Sequence, residues 1–365
     1  KKNINSSLKL TIDSNLQYII KKELKNAKNN FKQIGSAAFL MNVNNGEILS
    51  MVSLPDYDLN KRQSITEDVY TNKITKGVYE LGSVFKTFTL AAGLENQVIK
   101  RDTIFEDLED KIFCAGRKIT EHDKLPKNLS AEQILIRSSN IGSVKIAQKV
   151  GMENYKNFLD SLKLFKKINF DLNEVGVPLP FKWGKCKLAT VSYGHGITTT
   201  PLQLAKGYAI ISNGGFNIKP TLIKKEFSKN NNKKRVIKKG VSKKINLILR
   251  KIVTTKEGTA ELANVSGYEI GGKTGTAQKS IKGGYSKNKI NTFAAIFPTS
   301  NPKYVLIVLL DEPKTNSEYI YNYRDGSPPT KGTPFNTAGW TSVEVAGKII
   351  EKIGPILATK YMEVN

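Results

Sequence analysis

The sequence predicts an α+β fold in which both ends of the chain build one antiparallel, five-stranded sheet around an inserted helical lobe. Near the start, two apolar runs at 36–43 and 47–53 flank Asn44-Asn45-Gly46, a pattern typical of a tight hairpin. Near the end, three short apolar or β-branched runs are separated by Gly, Asn and Pro, at 270–278, 292–298 and 304–310. The patterns between these regions are helical. An order of strands, helices and strands indicates a sheet that a helical segment interrupts.

Each predicted helix carries a recognisable start signal. Asp13 or Ser14 can cap the first helix, whose apolar face follows at Leu16, Ile19, Ile20, Leu24 and Ala27. Later helices are predicted to begin at Gly82-Ser83, at the capping box Ser130–Gln133, at Thr200-Pro201 and at Ser242. The helix from Thr200 should stop near Gly214-Gly215. A last helix is predicted from about Thr341 to Ile353.

The chain is long enough for one large two-lobed domain or two ordinary ones, since it has 365 residues. We expect a single two-lobed domain over residues 1–357, followed by a tail at 358–365. The sheet lobe takes about 8–60 and 265–357, and the helical lobe takes about 61–264.

Composition excludes several classes of protein. Hydrophobic residues make up 39% and charged residues 24%, which is too apolar for a disordered chain. No run approaches the roughly 18 apolar residues that a membrane helix needs. Cys114 and Cys186 form no CxxC pair and have no His at ligand spacing, so a zinc site is nearly excluded. We expect these cysteines to be free, although the sequence leaves a bridge between them open.

Positive charge is concentrated in one segment of a chain whose formal net charge is +25. Between Lys219 and Lys244 there are eleven Lys or Arg and one acid, Glu226. This could be a patch for nucleic acid or an anionic membrane. Nucleic-acid sites usually interleave aromatic residues, and this segment has only Phe227. We therefore expect a solvated surface loop and no nucleic-acid partner.

A potential nucleophile occurs in Ser83-Val-Phe-Lys86. A serine needs a base to attack, and a lysine three residues later lies on the same face of a helix. The same spacing recurs at Ser6–Lys9 in a polar terminus, Ser286–Lys289 in a predicted loop and Ser300–Lys303 in a predicted hairpin turn. Only Ser83 stands at a predicted helix start before an apolar face. Its N–H would then be a free helix-end donor, able to bind an oxyanion.

Two further motifs complete a possible site. Ser138-Ser139-Asn140 lies between two predicted helices, where a hydroxyl could relay a proton and an amide could hold a peptide. A helix end followed by an N-cap explains the same residues equally well. Lys273-Thr274-Gly275-Thr276 holds the only Lys-Thr-Gly of the chain and falls in a predicted strand, where Gly lets another backbone approach closely. Backbone donors, a cation and hydroxyls along a strand suit a peptide that ends in a carboxylate.

In this order, the three motifs resemble those of the penicilloyl-serine transferase superfamily. The wider sequence is similar to class B penicillin-binding proteins and most similar to their division-specific, FtsI-like D,D-transpeptidases. The stretches that carry the likeness are Tyr79–Ser83, Tyr193–Leu204 and Gly272–Gln278, and the resemblance extends from about Leu8 to Leu357. It implies the penicillin-binding-protein/serine β-lactamase-like fold. It also implies an upstream membrane anchor and pedestal domain, which we expect to be missing from this chain.

The resemblance implies catalytic roles for five side chains. Ser83 would attack the penultimate D-Ala carbonyl of a stem peptide and become acylated, and Lys86 would accept its proton. Ser138 would relay a proton to or from the leaving group. Asn140 would hydrogen-bond the donor peptide, and Lys273 would contribute electrostatics.

The strand motif would then bind the substrate. Thr274, Gly275 and Thr276 would lie beside it, with the Thr276 hydroxyl nearest its carboxylate. The backbone N–H groups of Ser83 and Thr276 would form the oxyanion hole. No cofactor and no metal are implied. His195, in a family-like stretch but outside the motifs, is expected to be structural.

The implied partners are peptidoglycan stem peptides as D-Ala-D-Ala donor and amine acceptor, β-lactams, a polymerising glycosyltransferase and other division proteins. The implied location is the periplasmic face of the inner membrane. The alternatives are an elongation-specific transpeptidase, a D,D-carboxypeptidase, a serine β-lactamase, a β-lactam sensor and a basic nucleic-acid-binding protein. No Glu-x-x-Leu-Asn of a class A β-lactamase lies between the last two motifs, and the pattern at Asn336–Trp340 favours the division branch.

Overall fold

The structure, a computed structural model, describes residues 7–61, 66–224 and 234–360. The helices are α1 (Ser14–Phe31), α2 (Glu67–Tyr70), α3 (Lys86–Glu95), α4 (Ala131–Ile136), α5 (Asn140–Val150), α6 (Met152–Leu162), α7 (Lys185–Ser192), α8 (Pro201–Ser212), α9 (Lys239–Thr254) and α10 (Ser342–Lys360). The strands are β1 (Gly35–Asn42), β2 (Ile48–Leu54), β3 (Ile104–Phe105), β4 (Lys111–Cys114), β5 (Arg117–Thr120), β6 (Leu129–Ser130), β7 (Gly271–Ile281), β8 (Gly284–Phe297), β9 (Tyr304–Asp311), β10 (Ile320–Tyr321) and β11 (Thr330–Lys331).

The main sheet has five antiparallel strands in the order β2-β1-β9-β8-β7. The early hairpin thus pairs through β1 with β9, and Ala38 faces both Val52 and Val308. The late strands follow one another outward to β7, which forms one edge of the sheet. The predicted α+β fold, with its sheet built from both ends of the chain, is confirmed.

Helices cover both faces of this sheet. Every residue of β9 is buried, and successive side chains of a strand point to opposite faces. Helix α8, which is buried along its whole length, contacts β1, β8 and β9. Helices α1 and α10 pack on each other, and α10 also contacts β8 and β9. No helix in the described part of the chain is long and apolar enough to cross a membrane.

Most of the predicted helix starts are present. The Asp13 carboxylate accepts hydrogen bonds from the N–H groups of Asn15 and Leu16, so it caps α1. Capping boxes begin α4 at Ser130 and α8 at Thr200. Helix α9 begins at Lys239, ahead of the predicted Ser242, because Ser242 has another function. Its buried hydroxyl accepts from Gly214 N–H and donates to the Ser212 carbonyl, which joins α9 to the end of α8.

The last helix is longer than predicted. It runs through Pro355 to Lys360 rather than ending at Ile353, because Leu357 beyond the proline is buried in the core. Lys360 Nζ also lies 2.7 Å from Asp13 Oδ2 at the start of α1. Residues 358–360 therefore form the last turn of α10.

The expectation of free cysteines is wrong. Cys114 at the end of β4 and Cys186 in α7 form a disulfide, with their Cα atoms 5.4 Å apart. They lie 72 residues apart in sequence, and only the tertiary packing of the β4–β5 hairpin beside α7 brings them together. In that packing, Ile119, Val144 and Ala189 form a small apolar cluster.

Two other expectations concern loops. Ser286 lies in strand β8 rather than in a loop, since β8 begins as early as Gly284, whereas Ser300–Lys303 does lie in the turn between β8 and β9. The centre of the basic segment 219–244, residues 225–233, lies outside the described residues. Beyond it, Arg235 stacks on the Phe216 ring at 4.1 Å from its centroid.

Candidate active site

Ser83 lies at the start of a 3-10 helix, Gly82–Phe85, that continues directly into α3. Gly82 has φ +64°, a conformation that glycine adopts without steric cost. This turn brings the chain from an extended approach into the helix and leaves Ser83 buried at its first turn, with 8% of its surface exposed. The predicted helix start is present, and the N–H groups of such a first turn have no partner within the helix.

The three motifs converge on the hydroxyl of Ser138. Lys86 Nζ lies 3.1 Å from Ser138 Oγ and also donates to the Ser138 carbonyl, while Lys273 Nζ lies 2.9 Å from Ser138 Oγ. Two ammonium groups from different lobes of the molecule therefore meet at one hydroxyl. Ser138 has φ +60° in the junction between α4 and α5. For a residue other than glycine this conformation costs about 1–3 kcal/mol, and such strain is common at functional sites.

Strand β7 packs directly on the turn that carries Ser83. A Cβ on Gly275 would lie only 2.1 Å from the Leu81 carbonyl oxygen. A Cβ on Gly82 would lie 3.0 Å from the Thr276 carbonyl oxygen. The expectation that Gly275 permits close backbone approach is therefore met, and it brings the backbone of Thr276 beside Ser83.

The hydroxyl groups of the strand motif are held by neighbouring elements. Thr274 Oγ1 lies 2.7 Å from Thr259 Oγ1 and 3.3 Å from Lys273 Nζ. Thr276 Oγ1 accepts a hydrogen bond from Ala338 N–H at 2.9 Å. Because that bond uses an oxygen lone pair, the Thr276 hydroxyl keeps its proton available to donate.

Asn140 begins α5 with its side chain fixed by β5. Its Nδ2 donates to the Thr120 carbonyl at 2.7 Å. Its Oδ1 is buried and has no hydrogen-bond partner among the described residues, although buried polar atoms are normally paired. Such an acceptor is a natural site for a ligand N–H.

Sequence reasoning missed Glu121, which lies next to these residues. Its carboxylate accepts hydrogen bonds from Ser139 Oγ at 2.6 Å, Asn140 N–H at 2.6 Å and Ile141 N–H at 2.9 Å. The sequence contains one weak indication of such a carboxylate, because the first turn of α5 has no acidic residue of its own. Helix N-termini favour a nearby negative charge, so a carboxylate from elsewhere could have been anticipated.

Burial changes the protonation of both lysines. It lowers the pKa of Lys86 to about 7, and the Glu121 carboxylate opposes part of that change. Burial, together with the charge of Lys86, holds the pKa of Lys273 well below its usual range. At neutral pH the pair therefore carries fewer than two positive charges, because two ammonium groups around one buried hydroxyl repel each other.

His195 lies in a separate cluster around Glu80. Its ring centroid lies 5.8 Å from that of Tyr193 and 4.8 Å from that of Tyr285, and its Nδ1 lies 3.9 Å from a Glu80 oxygen. Glu80 also accepts from Gly196 N–H at 2.9 Å and holds this loop against the segment before Ser83. These contacts fit the expected structural role. Within residues 7–61, 66–224 and 234–360, no group of three or more His, Cys, Asp or Glu could hold a metal ion.

Comparisons with known proteins agree with this arrangement. The family model described as penicillin binding protein transpeptidase domain matches residues 36–326. The chain is 34% identical over 361 residues to a probable peptidoglycan D,D-transpeptidase FtsI of Caulobacter vibrioides, an alignment that covers 96% of this chain and 59% of that protein. It is 33% identical over 329 residues to stage V sporulation protein D of Bacillus subtilis, covering 86% of this chain and 50% of that protein.

A solved structure agrees in fold. The apo TP domain of penicillin-binding protein 3 from Burkholderia pseudomallei superposes with a TM-score of 0.81 at 27% identity, covering 98% of this chain and 97% of that one. The chain thus spans half to three fifths of the length of the two curated relatives and nearly all of a solved domain.

Proposed function

The chain belongs to the penicillin-binding protein transpeptidase domain family, and we propose that it is the catalytic domain of a peptidoglycan D,D-transpeptidase that acts in septal wall synthesis. The observation that carries this proposal is the meeting of Lys86 and Lys273 at the Ser138 hydroxyl beside the Ser83 turn. The relatives' names support the reaction, and FtsI and the sporulation protein among them support the division branch.

In the proposed acylation, Ser83 Oγ attacks the penultimate D-Ala carbonyl carbon and passes its proton to neutral Lys86. The oxygen of the tetrahedral intermediate accepts hydrogen bonds from the N–H groups of Ser83 and Thr276, which their close packing supports. The C–N bond then breaks. The terminal D-Ala leaves as an amine, with the proton returned from Lys86 through the Ser138 hydroxyl.

Deacylation reverses these roles with a different nucleophile. The amine of a second stem peptide loses a proton through Ser138 to Lys86 and attacks the ester carbon. The ester C–O bond breaks, and Ser83 Oγ takes the proton back. The product is a new amide bond between two stem peptides, and the enzyme returns to its starting state.

Substrate binding is assigned to the groups that have unused hydrogen-bonding capacity. Asn140 Oδ1, which is buried and unpaired within the part of the chain that the structure describes, would accept an amide N–H of the donor peptide. Thr276 would donate its hydroxyl to the terminal carboxylate, and Thr274 and Gly275 would line the strand beside it. Lys273 would supply positive charge while Lys86 is neutral, because loss of the Lys86 charge removes one of the two causes that lower the pKa of Lys273.

We further propose that the domain works on the periplasmic face of the inner membrane with a polymerising glycosyltransferase and other division proteins. β-Lactams would be inhibitors that occupy the donor site. The net charge of +25 favours contact with anionic wall or membrane surfaces.

The fate of the acyl-enzyme tests the proposed reaction. A β-lactam ester at Ser83 should persist for many minutes to hours, because the bound ring fragment would block the acceptor amine and the Glu121 carboxylate already accepts three hydrogen bonds at the start of α5. Intact-mass spectrometry after addition of a penicillin measures this lifetime. Rapid return to the unmodified mass, with penicilloic acid accumulating over many turnovers, would indicate a β-lactamase instead.

A further inference from the structure

We propose that Glu121 is a positioning residue of the active site, which fixes Asn140 at the start of α5, two residues after the Ser138 that Lys86 contacts. This inference rests on the proposed function, since it concerns the same reaction. Glu121 follows strand β5 directly, whereas the residues that it holds begin helix α5.

The Glu121 carboxylate binds the N-cap hydroxyl and the first two N–H groups of α5. It accepts from Ser139 Oγ, from Asn140 N–H and from Ile141 N–H, all within 2.9 Å. Hydrogen bonds to a charged acceptor are stronger than those between neutral groups. The positive end of the helix dipole further stabilises a carboxylate at this position. Glu121 therefore helps to fix the Asn140 backbone, together with the N-cap bond from Gly142 N–H to Ser139 Oγ.

The neighbouring residue fixes the side chain of Asn140. Its Nδ2 donates to the carbonyl oxygen of Thr120, the residue immediately before Glu121. One dipeptide thus holds both the backbone N–H and the side-chain amide of Asn140. Among the described residues, this arrangement leaves Asn140 Oδ1 without a hydrogen-bond partner. Loss of the bond to Glu121 or of the bond to Thr120 would let the Asn140 amide rotate.

The β4–β5 hairpin gives this dipeptide a fixed position. Ile119, two residues before Glu121, is buried against Val144 of α5. At the other end of the hairpin, Cys114 is bonded to Cys186 of α7. The carboxylate is therefore presented by an anchored element rather than by a free loop.

The carboxylate also lies near Lys86, because it binds the hydroxyl of Ser139 while Lys86 Nζ donates to the carbonyl of the preceding Ser138. In the described part of the chain, the charged or titratable groups that interact with this buried amine are Glu121, Lys273 and His122. Among them Glu121 is the one that favours the protonated form of Lys86, because opposite charges attract. Removal of its charge should make Lys86 lose its proton at a lower pH.

The substitution Glu121→Gln keeps the shape of the side chain and removes its charge, so it tests both effects. The second-order rate of acylation by a fluorescent penicillin should fall by about 10- to 100-fold at its high-pH plateau, the scale of losing a precise orientation. The midpoint of the rate-versus-pH curve should move to lower pH. Glu121→Asp, which retains the charge, should recover part of the rate and keep the midpoint. Glu109→Gln is the matched control, since Glu109 is exposed and forms a solvent-exposed ion pair with Lys145, and it should behave like the wild type.

A double-mutant cycle separates positioning from general damage. If Glu121 acts through Asn140, the plateau loss caused by Glu121→Gln should largely disappear in an Asn140→Ala background, while the shift of the midpoint remains. An unchanged plateau and midpoint in Glu121→Gln would overturn the inference, as would equal plateau losses in both backgrounds. If Glu121→Gln does not fold, Glu121→Asp takes its place. A wild-type midpoint of the rate-versus-pH curve with a partly reduced acylation rate supports the inference, and a shifted midpoint contradicts it. Failure of the wild type to acylate would instead refute the proposed function.

Discussion

The rate of acylation should depend on pH through Lys86. Burial lowers the pKa of Lys86 to about 7, and a lysine can accept the Ser83 proton only when it is neutral. With that pKa, about half of the molecules have a neutral Lys86 at pH 7, against about 0.03% for an ordinary lysine. Burial therefore raises the reactive fraction about 1,500-fold at this pH.

The acylation rate should rise with pH, because Lys86 can accept a proton only after it has lost its positive charge. As pH rises through 7, Lys86 loses its proton, so the acylation rate should increase about tenfold between pH 6 and pH 8 and level off above that. Lys86→Arg keeps the charge but cannot lose its proton in this range. It should react at least about a hundredfold more slowly at every pH.

Stopped-flow measurement of acylation between pH 5.5 and 9 gives the profile. His122 is the competing group, since it also lies near Lys86, although burial and the charge of Lys86 hold its pKa below the usual value. His122→Asn should therefore retain the rise of rate with pH. A rate that is flat or falls between pH 6 and pH 8, or a Lys86→Arg variant that acylates normally, would refute Lys86 as the base.

Two further predictions concern the scaffold of the site. Gly275→Ala places a Cβ against the Leu81 carbonyl oxygen, so the free energy of unfolding should fall by about 1–3 kcal/mol and acylation should weaken. Gly284→Ala is the control, since nothing lies within 4 Å of the added Cβ, and it should change neither the free energy of unfolding nor acylation. Equal effects of Gly275→Ala and Gly284→Ala would contradict close packing of β7 on the Ser83 turn. Replacement of Cys114 and Cys186 by serine should lower the free energy of unfolding by about 4 kcal/mol, because the bridge closes a loop of 72 residues. Denaturant unfolding with and without a reductant measures this, and identical midpoints would show that the bridge is absent in solution.

The sequence predicts best those features that depend on local chemistry. The Asn44-Asn45-Gly46 hairpin and the capping boxes at Ser130 and Thr200 follow from turn and helix-end preferences, and all are present. The glycine of the strand motif is a similar case. Its role follows from the absence of a side chain, and Leu81 occupies the space that a Cβ would need.

Features that depend on contacts between distant residues could not be predicted in the same way. Glu121 lies 18–20 residues before the atoms that it binds, in a polar segment without periodicity. The disulfide joins a hairpin and a helix whose packing is not encoded in the spacing of the cysteines. The start of α9 was misplaced because Ser242 has the chemistry of an N-cap but bonds to the end of α8 instead.

Mapping the residue that a labelled penicillin modifies tests the central claim most directly. Ser83 lies in the 3-10 turn that packs on β7 and leads directly into the helix starting at Lys86, whereas Ser286 is part of strand β8 and Ser300 lies in a turn. Peptide mass spectrometry should locate the adduct on Ser83 in the wild type and in the control variants Ser286→Ala and Ser300→Ala, and Ser83→Ala should remain unlabelled. An adduct on any other residue, or undiminished labelling of Ser83→Ala, would contradict the assignment of Ser83 as the nucleophile.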